Sequence, residues 1–312
     1  MKFRSKVLLA KIETTYGTDA SPQGVDAIQT KNLSINPYQG NTISRDLDRD
    51  SFGAQEQINI NPYVEVSFEV ELAGSGTAGT APAYSSLLRA CGFSETVNAG
   101  TDVVYTPVSE NFESVTLYFL QKTSTGYQQH AIAGSRGSVS FEVDRSGMPV
   151  MRFQFMGFYQ RPTDVADITV DKSAFIDPVY VSQDYTSLTF GAYTAKASTF
   201  SLDMALDMSM RTVTGARYVN IADRAPSGSA TIDAPELSEK DFFALVESHN
   251  GTNNEEVTLT HGTLAGNIVE IKGQNVQFTG ISPTDSDGEL AYQMNMQFLP
   301  TTRDDDVILT VK

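Results

Sequence analysis

Most of this chain alternates apolar and polar residues with a period of two, and that pattern leaves few folds open to it. In the segment VEVSFEVEL, residues 64–72, every second side chain is apolar and every intervening one is polar. Successive side chains of a β-strand point to opposite faces, so the segment predicts a strand with one buried and one wet face. Such strands belong to antiparallel sheets. The apolar face comprises Val64, Val66, Phe68, Val70 and Leu72, and the polar face Glu65, Ser67, Glu69 and Glu71.

The same alternation predicts two hairpins. Residues 138–144 (SVSFEVD) and 150–157 (VMRFQFMG) flank the short turn RSGMP, and residues 275–298 repeat this plan around the turn DSDGE. Turn-forming Gly, Pro, Asp and Ser between two alternating runs indicate a β-hairpin. Residues 114–121 predict a further strand. The apolar positions expected in the core of the hairpins are Val139, Phe141, Met294 and Met296.

Two short segments carry helical signals. Residues 80–92 (TAPAYSSLLRACG) have Thr80 as the expected N-cap, a proline in the first turn and a glycine at the end. Residues 237–251 (LSEKDFFALVESHNG) begin with Ser238 followed by Asp241, which resembles a capping box. Each helix is predicted to be short, amphipathic and surrounded by strands.

The order of these elements occurs twice along the chain. NLSIN (32–36) resembles TFSLD (199–203), and the strand and helix at 64–92 have counterparts at 227–251. In both halves the order is strand, long polar loop, strand, helix, strand, strand and hairpin. Because the order agrees while few residues are identical, we interpret the chain as a tandem duplication.

The two repeats define the expected domains. Residues 161–186 are rich in Asp and Ser and contain two prolines, as is typical of a joint between domains. We expect a first domain at 1–162 and a second at 163–312. The predicted fold class is mainly β, with two tandem antiparallel β-sandwich or rolled-barrel domains, each with one flanking helix and a long loop.

Charge and cysteine content exclude several classes of protein. The chain has 312 residues, a formal net charge of −16 and a single cysteine, Cys91. A surface this acidic repels phosphate, so tight binding to DNA or RNA is not expected. One cysteine cannot form an intrachain disulfide. The N-terminal apolar run is too short for a signal sequence, and no stretch reaches the length of a membrane span, so we expect folding in a cytoplasm.

Long polar segments lie at equivalent positions of the two repeats, at residues 39–53 and 207–226. Loops of this length in compact β domains are often functional. One interpretation is an arm that docks on a neighbouring molecule. The alternative is a solvated excursion without partners.

The motifs that suggest chemistry have simpler structural explanations. GSGTAG (74–79) fits a dinucleotide fingerprint, but it follows an acidic alternating strand and no βαβ crossover succeeds it. DSDGE (285–289) lies in a hairpin turn, where Asp and Gly serve the turn. The histidines, His130, His249 and His261, accompany no nucleophile motif. We therefore expect no catalytic, cofactor-binding or metal-binding residues, and no cofactor.

Several segments together resemble the tail tube proteins of long-tailed, siphovirus-like bacteriophages. They are LLAKIETTYGTDASP (8–22), RDLDRDSFG (45–53), FEVELAGSGTAGTAPAYSSLLRACGF (68–93), VVYTPVS (103–109) and GSRGSVSFEVDRSGMPVMRFQFMGFY (134–159). The resemblance covers the first half well, and the second half joins it through the internal repeat. It implies a structural virion protein whose rings stack into a hollow tube through which DNA leaves the capsid.

The resemblance also implies the assembly and its partners. Rings of this family usually contain six domains, so a duplicated chain is expected to form homotrimeric rings. Expected partners are further copies of the chain, tail tip and tail terminator proteins, and a tape measure protein in the lumen. DNA is expected to pass without tight binding, and no membrane is involved. The expected location is the virion tail, assembled in the host cytoplasm.

Two sets of residues are expected to carry this function. The family's long loops reach the adjacent ring, which assigns contacts between rings to Arg45, Asp46, Asp48, Arg49 and Asp50, with Arg211, Arg217 and Arg224 in the second repeat. The polar faces of the strands are expected to line the lumen through Glu65, Glu69, Glu71, Glu142, Asp144, Gln293, Asn295 and Gln297. The alternative is that these polar faces point outward.

Other functions remain open at this point. The chain can form a hexameric tube in which the second half is a decoration domain, although a decoration would need neither the repeated helix nor the loop. A non-viral adhesin or carbohydrate-binding β-sandwich is a second alternative, and a secreted glycosidase-like enzyme is a third.

Overall fold

The computed structural model describes residues 3–145, 147–247, 249 and 251–312. Strands dominate it, and the pairings between them are antiparallel, which confirms the predicted mainly β class. The strands of the first half are β1 (Lys6–Ile12), β2 (Ala27–Ile28), β3 (Lys31–Ser44), β4 (Gln57–Glu71), β5 (Phe93–Asn98), β6 (Asp102–Pro107), β7 (Val115–Lys122), β8 (Tyr127–Asp144), β9 (Val150–Phe158) and β10 (Thr163–Val165).

The second half continues with strands of similar length. They are β11 (Thr186–Phe190), β12 (Tyr193–Ala195), β13 (Ala197–Asp203), β14 (Leu206–Val213), β15 (Ala216–Arg224), β16 (Ser227–Asp233), β17 (Glu255–His261), β18 (Val269–Ser286), β19 (Glu289–Phe298) and β20 (Ile308–Val311). The helices are α1 (Ser85–Ala90) and α2 (Phe242–Val246). The strands predicted at 64–72, 114–121, 138–144, 150–157 and 275–298 are therefore confirmed.

Eight strands form one continuous inner sheet in the order β3-β4-β9-β8-β13-β16-β19-β18. The first four strands come from the first half and the last four from the second. The two sets meet where β8 pairs with β13. In each set, the strands that come first, second, fourth and third along the chain lie side by side in that order.

Each half adds an outer sheet through the N-terminal part of its longest strand. In the first half the outer order is β2-β1-β7-β8-β10. In the second half it is β12-β11-β17-β18-β20, and β20 extends the sheet further to β6 and β5 of the first half. β8 and β18 thus each belong to both an inner and an outer sheet.

A bend at Gly134 allows β8 to pass between its two sheets. Gly134 has a φ of +62°, and a Cβ at this position would come within 2.7 Å of the Phe158 ring. This left-handed backbone conformation favours glycine, and a side chain would also displace the ring. Gly134 therefore lies at the point where β8 stops pairing with β7 and begins to pair with β9.

The core lies between the inner and outer sheets. Its largest cluster contains side chains of the inner sheet, such as Phe68 and Phe153, together with Leu8, Leu117 and Leu87 from the outer sheet and α1. The apolar face predicted from the alternation is confirmed, because the predicted core positions are at most 2% exposed: Val64, Val66, Phe68, Val70, Leu72, Val139, Phe141, Met294 and Met296.

Both helices are shorter than predicted, and their first residues differ from the expected ones. α1 starts at Ser85 after Tyr84, five residues beyond the predicted cap Thr80, because the intervening segment forms turns. In α2 the cap is Asp241, whose carboxylate accepts a hydrogen bond from the Ala244 N–H, so the prediction that Ser238 begins the helix is wrong. The predicted end of this helix near residue 251 includes Ser248 and Asn250, which lie outside the described residues.

The second polar segment is a regular hairpin and not a loop. Residues 207–226 form most of β14 and β15, which pair from Leu206 and Arg224 to Val213 and Ala216 around a turn at Gly215. Alternating apolar positions, namely Met208 and Met210 on one strand and Val219 and Ile221 on the other, give this segment a strand pattern that its polar composition obscured. The expected loop at 39–53 is also partly strand, with an irregular tip at 45–56.

Candidate assembly surfaces

The residues expected to line a lumen share one polar face of the inner sheet. Cross-strand registers align Glu69 with Arg152 and Ser140, and Glu142 with Ser201 of the next strand. The same row of strands continues through Ser229 to Asn295. Because side chains alternate between faces, these registers bring the predicted positions of both halves onto one surface. They are Glu65, Glu69, Glu71, Glu142, Asp144, Gln293, Asn295 and Gln297, and the structure leaves them half-buried or exposed.

Basic side chains on this polar face are paired with its carboxylates. Arg152 lies between two of them, with 2.5 Å from Nη2 to Glu142 Oε2 and 3.4 Å from Nε to Glu69 Oε1. Lys31 pairs with Glu71 at 2.5 Å. Since Glu65 and Asp144 add further negative charge, the first-half part of the face carries more carboxylates than cations. In the second-half part, the predicted positions Gln293, Asn295 and Gln297 are uncharged, and Asp203, which is in register with Ser140, adds an exposed carboxylate.

The hairpin of β14 and β15 packs against the end of the first-half inner sheet. The Val219 N–H donates to Tyr16 Oη at 2.7 Å, and Arg136 Nη1 donates to the Val219 carbonyl at 2.9 Å. The Arg217 guanidinium donates to the Pro62 carbonyl and lies 5.3 Å from the Phe158 ring centroid. Burial in this contact raises the pKa of Tyr16 and lowers that of Arg136.

Arg224 joins three segments at the base of the same hairpin. Its guanidinium donates to Asp306 from Nε at 2.7 Å and from Nη2 at 2.9 Å, and to the Val108 carbonyl from Nη1 at 3.0 Å. Arg217 and Arg224 therefore already bind groups of their own chain. Arg211 is exposed on β14. Their assignment to contacts between rings stays a prediction.

The hairpin of the first half differs because it extends into solvent. Its strands are the distal parts of β3 and β4, and its tip carries Arg45, Asp46, Asp48, Arg49 and Asp50, which are exposed. Large apolar side chains on this hairpin are also exposed. They are Tyr38 at 46%, Ile43 at 51%, Leu47 at 51%, Phe52 at 109% and Ile58 at 46%. Monomeric proteins seldom expose apolar side chains in groups, so this hairpin is a candidate contact surface.

The inner sheet ends in two open edges among the described residues. Residues 31–36 of β3 pair only with β4, and residues 280–286 of β18 pair only with β19. An open edge presents unpaired N–H and C=O groups and is a template for pairing with another chain. The alternating sequence predicted the strands, but which of them would be edges depended on the pairing.

The glycine-rich segment 74–79 makes contacts between the halves. Gly74 N–H donates to Asn267 Oδ1 at 2.8 Å, and Gly76 N–H donates to the Gly266 carbonyl at 2.9 Å. A Cβ at Gly74 would come within 2.0 Å of the Gly266 carbonyl oxygen, so glycine serves close backbone approach here. The DSDGE segment forms the turn between β18 and β19, as predicted.

The remaining reactive side chains serve packing. Cys91 is 1% exposed, and burial raises the pKa of its thiol well above the ordinary value, which keeps it protonated and unreactive. His261 is 2% exposed and bonds Thr186 Oγ1 and the Val179 carbonyl through its two ring nitrogens. Within the described ranges, no group of three or more His, Cys, Asp or Glu is arranged to hold a metal ion. Nor does any helix there have the length and apolar character to cross a membrane.

Comparison with known proteins gives one family. A family model described as phage tail tube protein matches residues 4–302, which is nearly the whole chain. No curated protein matches the sequence. The match extends across both halves, beyond the first-half segments in which the resemblance is clearest.

Proposed function

The chain belongs to the family of phage tail tube proteins, and from this premise we propose that its halves are tandem repeats filling two adjacent positions of one tube ring. The observation that carries the proposal is the repeated strand order. β3-β4-β9-β8 and β13-β16-β19-β18 correspond strand by strand and join edge to edge. The outer layers agree as well, since β10 pairs with β8 as β20 pairs with β18. On this basis the first repeat, expected at 1–162, extends through β10 to Val165.

Three copies then supply six repeats to a ring. The inner sheets join at their open edges into one closed barrel, and closure removes the exposed edges that each isolated copy carries. A hexamer with a decorating second half is the competing arrangement. It does not account for the second half continuing the inner sheet of the first with the same strand order.

The polar face of the inner sheet is proposed to line the channel. Its carboxylates, Glu65, Glu69, Glu71, Glu142 and Asp144, exceed the cations beside them, and Gln293, Asn295 and Gln297 are neutral. A wall of this kind repels phosphate and lets DNA move, whereas a basic wall would bind it.

Family membership makes the protein a structural component of the virion tail that assembles with itself into a tube. We further propose that it has no enzymatic activity, and that its function depends on the geometry of the ring. The proposed partners are tail tip and terminator proteins at the ends of the tube and a tape measure protein in its lumen. Assembly is proposed to occur in the host cytoplasm.

Negative-stain microscopy combined with native mass spectrometry tests this proposal. Purified protein at high concentration is expected to form rings or stacked tubes. The smallest closed ring should have three times the 33.9 kDa mass of the chain. Closed rings of six chains would support the decorated hexamer instead. If the protein stays monomeric at every protein and salt concentration, even after tail tip complexes are added to start assembly, the proposal is wrong.

A further inference from the structure

The junction between the two halves shows how one repeat binds the next. Within the chain, β13 pairs with β8 in the register Thr199–Asp144, Ser201–Glu142 and Asp203–Ser140. Beyond Asp203 the chain continues into the hairpin of β14 and β15, which packs on the end of the first-half sheet. One repeat therefore binds its neighbour with two adjacent parts, a strand edge and the hairpin that follows it.

The same two parts exist in the first half, where no described residue of the chain covers them. β3 corresponds to β13, since Asn36 pairs with Glu65 at the base of one hairpin as Asp203 pairs with Ser227 at the base of the other. Similarly, β18 corresponds to β8, because Ser282 faces Gln293 as Ser140 faces Arg152.

Replacing each residue of the internal β8–β13 junction by its counterpart on β18 or β3 gives the register expected between two copies. Asp203–Ser140 becomes Asn36–Ser282, and Ser201–Glu142 becomes Ser34–Thr284. Both members of each new pair lie on open edges of the sheet.

Burial differs between the internal junction and the open edges. At the junction, Phe141 and Leu202 face each other and are 1% and 0% exposed. Their counterparts at the edges are Pro283, which is exposed, and Ile35, which is only partly buried. Likewise Val139 is 1% exposed, while its counterpart Ile281 is partly buried. Apolar side chains at the two edges thus lack the neighbour that covers their counterparts.

The hairpins show the same difference. In the second half, Val219 is fully buried against the first half. The first-half hairpin instead exposes Ile43 and Ile58, which face each other across its strands. The corresponding receptor is the end of the second-half sheet, where Gln277 faces Gln297 as Arg136 faces Met156.

We infer that the first-half hairpin, residues 37–61, docks on the second half of another copy within the same ring, beside a strand junction in the Ser34–Thr284 register. The occupant is a second copy of this chain, because the chain itself contains the matching interface. The longer tip at 45–56 then extends past the receptor and is free to meet the next ring. The inference rests on the proposed ring and adds its register and the direction in which each hairpin reaches.

A disulfide cross-link tests the register. Directly opposed residues of antiparallel strands have Cα atoms about 4.5–5.5 Å apart, which permits a disulfide. Assembled Ser34→Cys/Thr284→Cys protein is expected to give, after oxidation, covalent dimers and trimers and nothing larger on a denaturing gel. The matched control is Ser34→Cys/Asp285→Cys, in which the second side chain points to the opposite face. It should remain monomeric, and Cys91 is buried in both variants.

A photocross-linker tests the hairpin. Benzoylphenylalanine replacing Ile58 is expected to form adducts with residues 276–299 of another chain, and the same group replacing exposed Leu264 should not. Adducts of the Ile58 probe with any other region would overturn the docking. Tubes in which only the shifted cysteine pair cross-links would overturn the register while leaving the tube function standing. A ladder from the Ser34/Thr284 pair that continues beyond trimers would instead contradict the three-chain ring on which the inference rests. Absence of rings and tubes from the unmodified protein would remove both.

Discussion

The guanidinium of Arg224 and the carboxylate of Asp306 form a two-pronged ion pair in which Asp306 is 3% exposed. The two hydrogen bonds measure 2.7 Å and 2.9 Å. Arg224 lies at the base of the second-half hairpin, and Asp306 precedes the last strand. The pair therefore links the hairpin that packs on the first half to the segment carrying β20, which itself pairs with both halves.

Removing Arg224 should destabilise the protein strongly. Arg224→Ala leaves the Asp306 carboxylate buried without its partner, which typically costs about 3–5 kcal/mol of the free energy of unfolding. Urea denaturation measures the loss. The control is Arg145→Ala, because Arg145 and Asp287 form an exposed pair, 51% and 76% accessible, whose removal should cost less than about 1 kcal/mol. Equal effects of the two variants would contradict the structural role of Arg224.

Glu13 should be a second site of high sensitivity. Its carboxylate is 7% exposed and accepts hydrogen bonds from Gly17 N and Gly134 N, both at 2.7 Å, and from the hydroxyls of Ser114 and Thr116. Glu13→Ala leaves these buried donors unsatisfied, and we expect a loss of roughly 2 kcal/mol or more in the free energy of unfolding. Thermal unfolding measures it. The exposed Glu289→Ala is the control, and a Glu13→Ala protein as stable as that control would refute the prediction.

The stability of the chain should fall in mild acid through His261. Burial lowers the pKa of this histidine, so the unfolded chain binds its proton more readily than the folded one. The contribution is present above the unfolded pKa of about 6.5 and is lost as the pH falls below it. We expect the free energy of unfolding to decrease between pH 7 and 5, and His261→Gln to reduce that slope. An identical slope in the His261 variant would exclude this histidine as the cause.

Adding positive charge to the polar face should slow DNA passage. Gln293→Lys, Asn295→Lys and Gln297→Lys place three cations at uncharged positions of the face without breaking its ion pairs. If this face lines the channel, tubes should still form while DNA release from phage particles slows, because phosphates then meet a basic wall. The effect should weaken with added salt. Lysines replacing the exposed neutral residues Thr101, Ser238 and Thr263, which lie outside the inner sheet, serve as the control with the same change in charge. Unchanged release from the first variant would place the face outside the channel.

Shortening the tip of the first hairpin should separate folding from polymerisation. Replacing residues 46–55 by Asn-Gly removes Asp46, Asp48, Arg49 and Asp50 while Ser44 and Gln57 keep their pairing. The expected product is a folded protein that forms rings but no long tubes. Each exposed polar contact made by the tip is weak, but the contacts are repeated around the ring, and the replacement removes all of them. Microscopy counts rings against tubes. Tubes of normal length would show that stacking does not depend on these residues.

The sequence by itself determined the strands, their buried faces and the class of the fold. Positions such as Val66, Phe68, Val139 and Met294 are buried as the alternation predicts, because a strand has only two faces and one of them must leave water. The resemblance to tail tube proteins can also be recognised from the sequence alone, because it depends on the order of local segments, and the family match supports it.

Only the tertiary structure decided how those strands meet. No local sequence feature distinguishes β8, which has a neighbouring strand on each side, from β18, which has an unpaired edge at residues 280–286. Strand pairing depends on contacts between residues that are far apart in the chain. For the same reason Arg217 and Arg224, which look like exposed loop cations in the sequence, bind Pro62 and Asp306 across more than 80 residues. Tyr16 and Arg136 gave no local signal of the surface that they form with Val219. The alternation of apolar and polar residues predicts which face of a strand each side chain occupies, whereas the residues that it contacts are determined by tertiary packing.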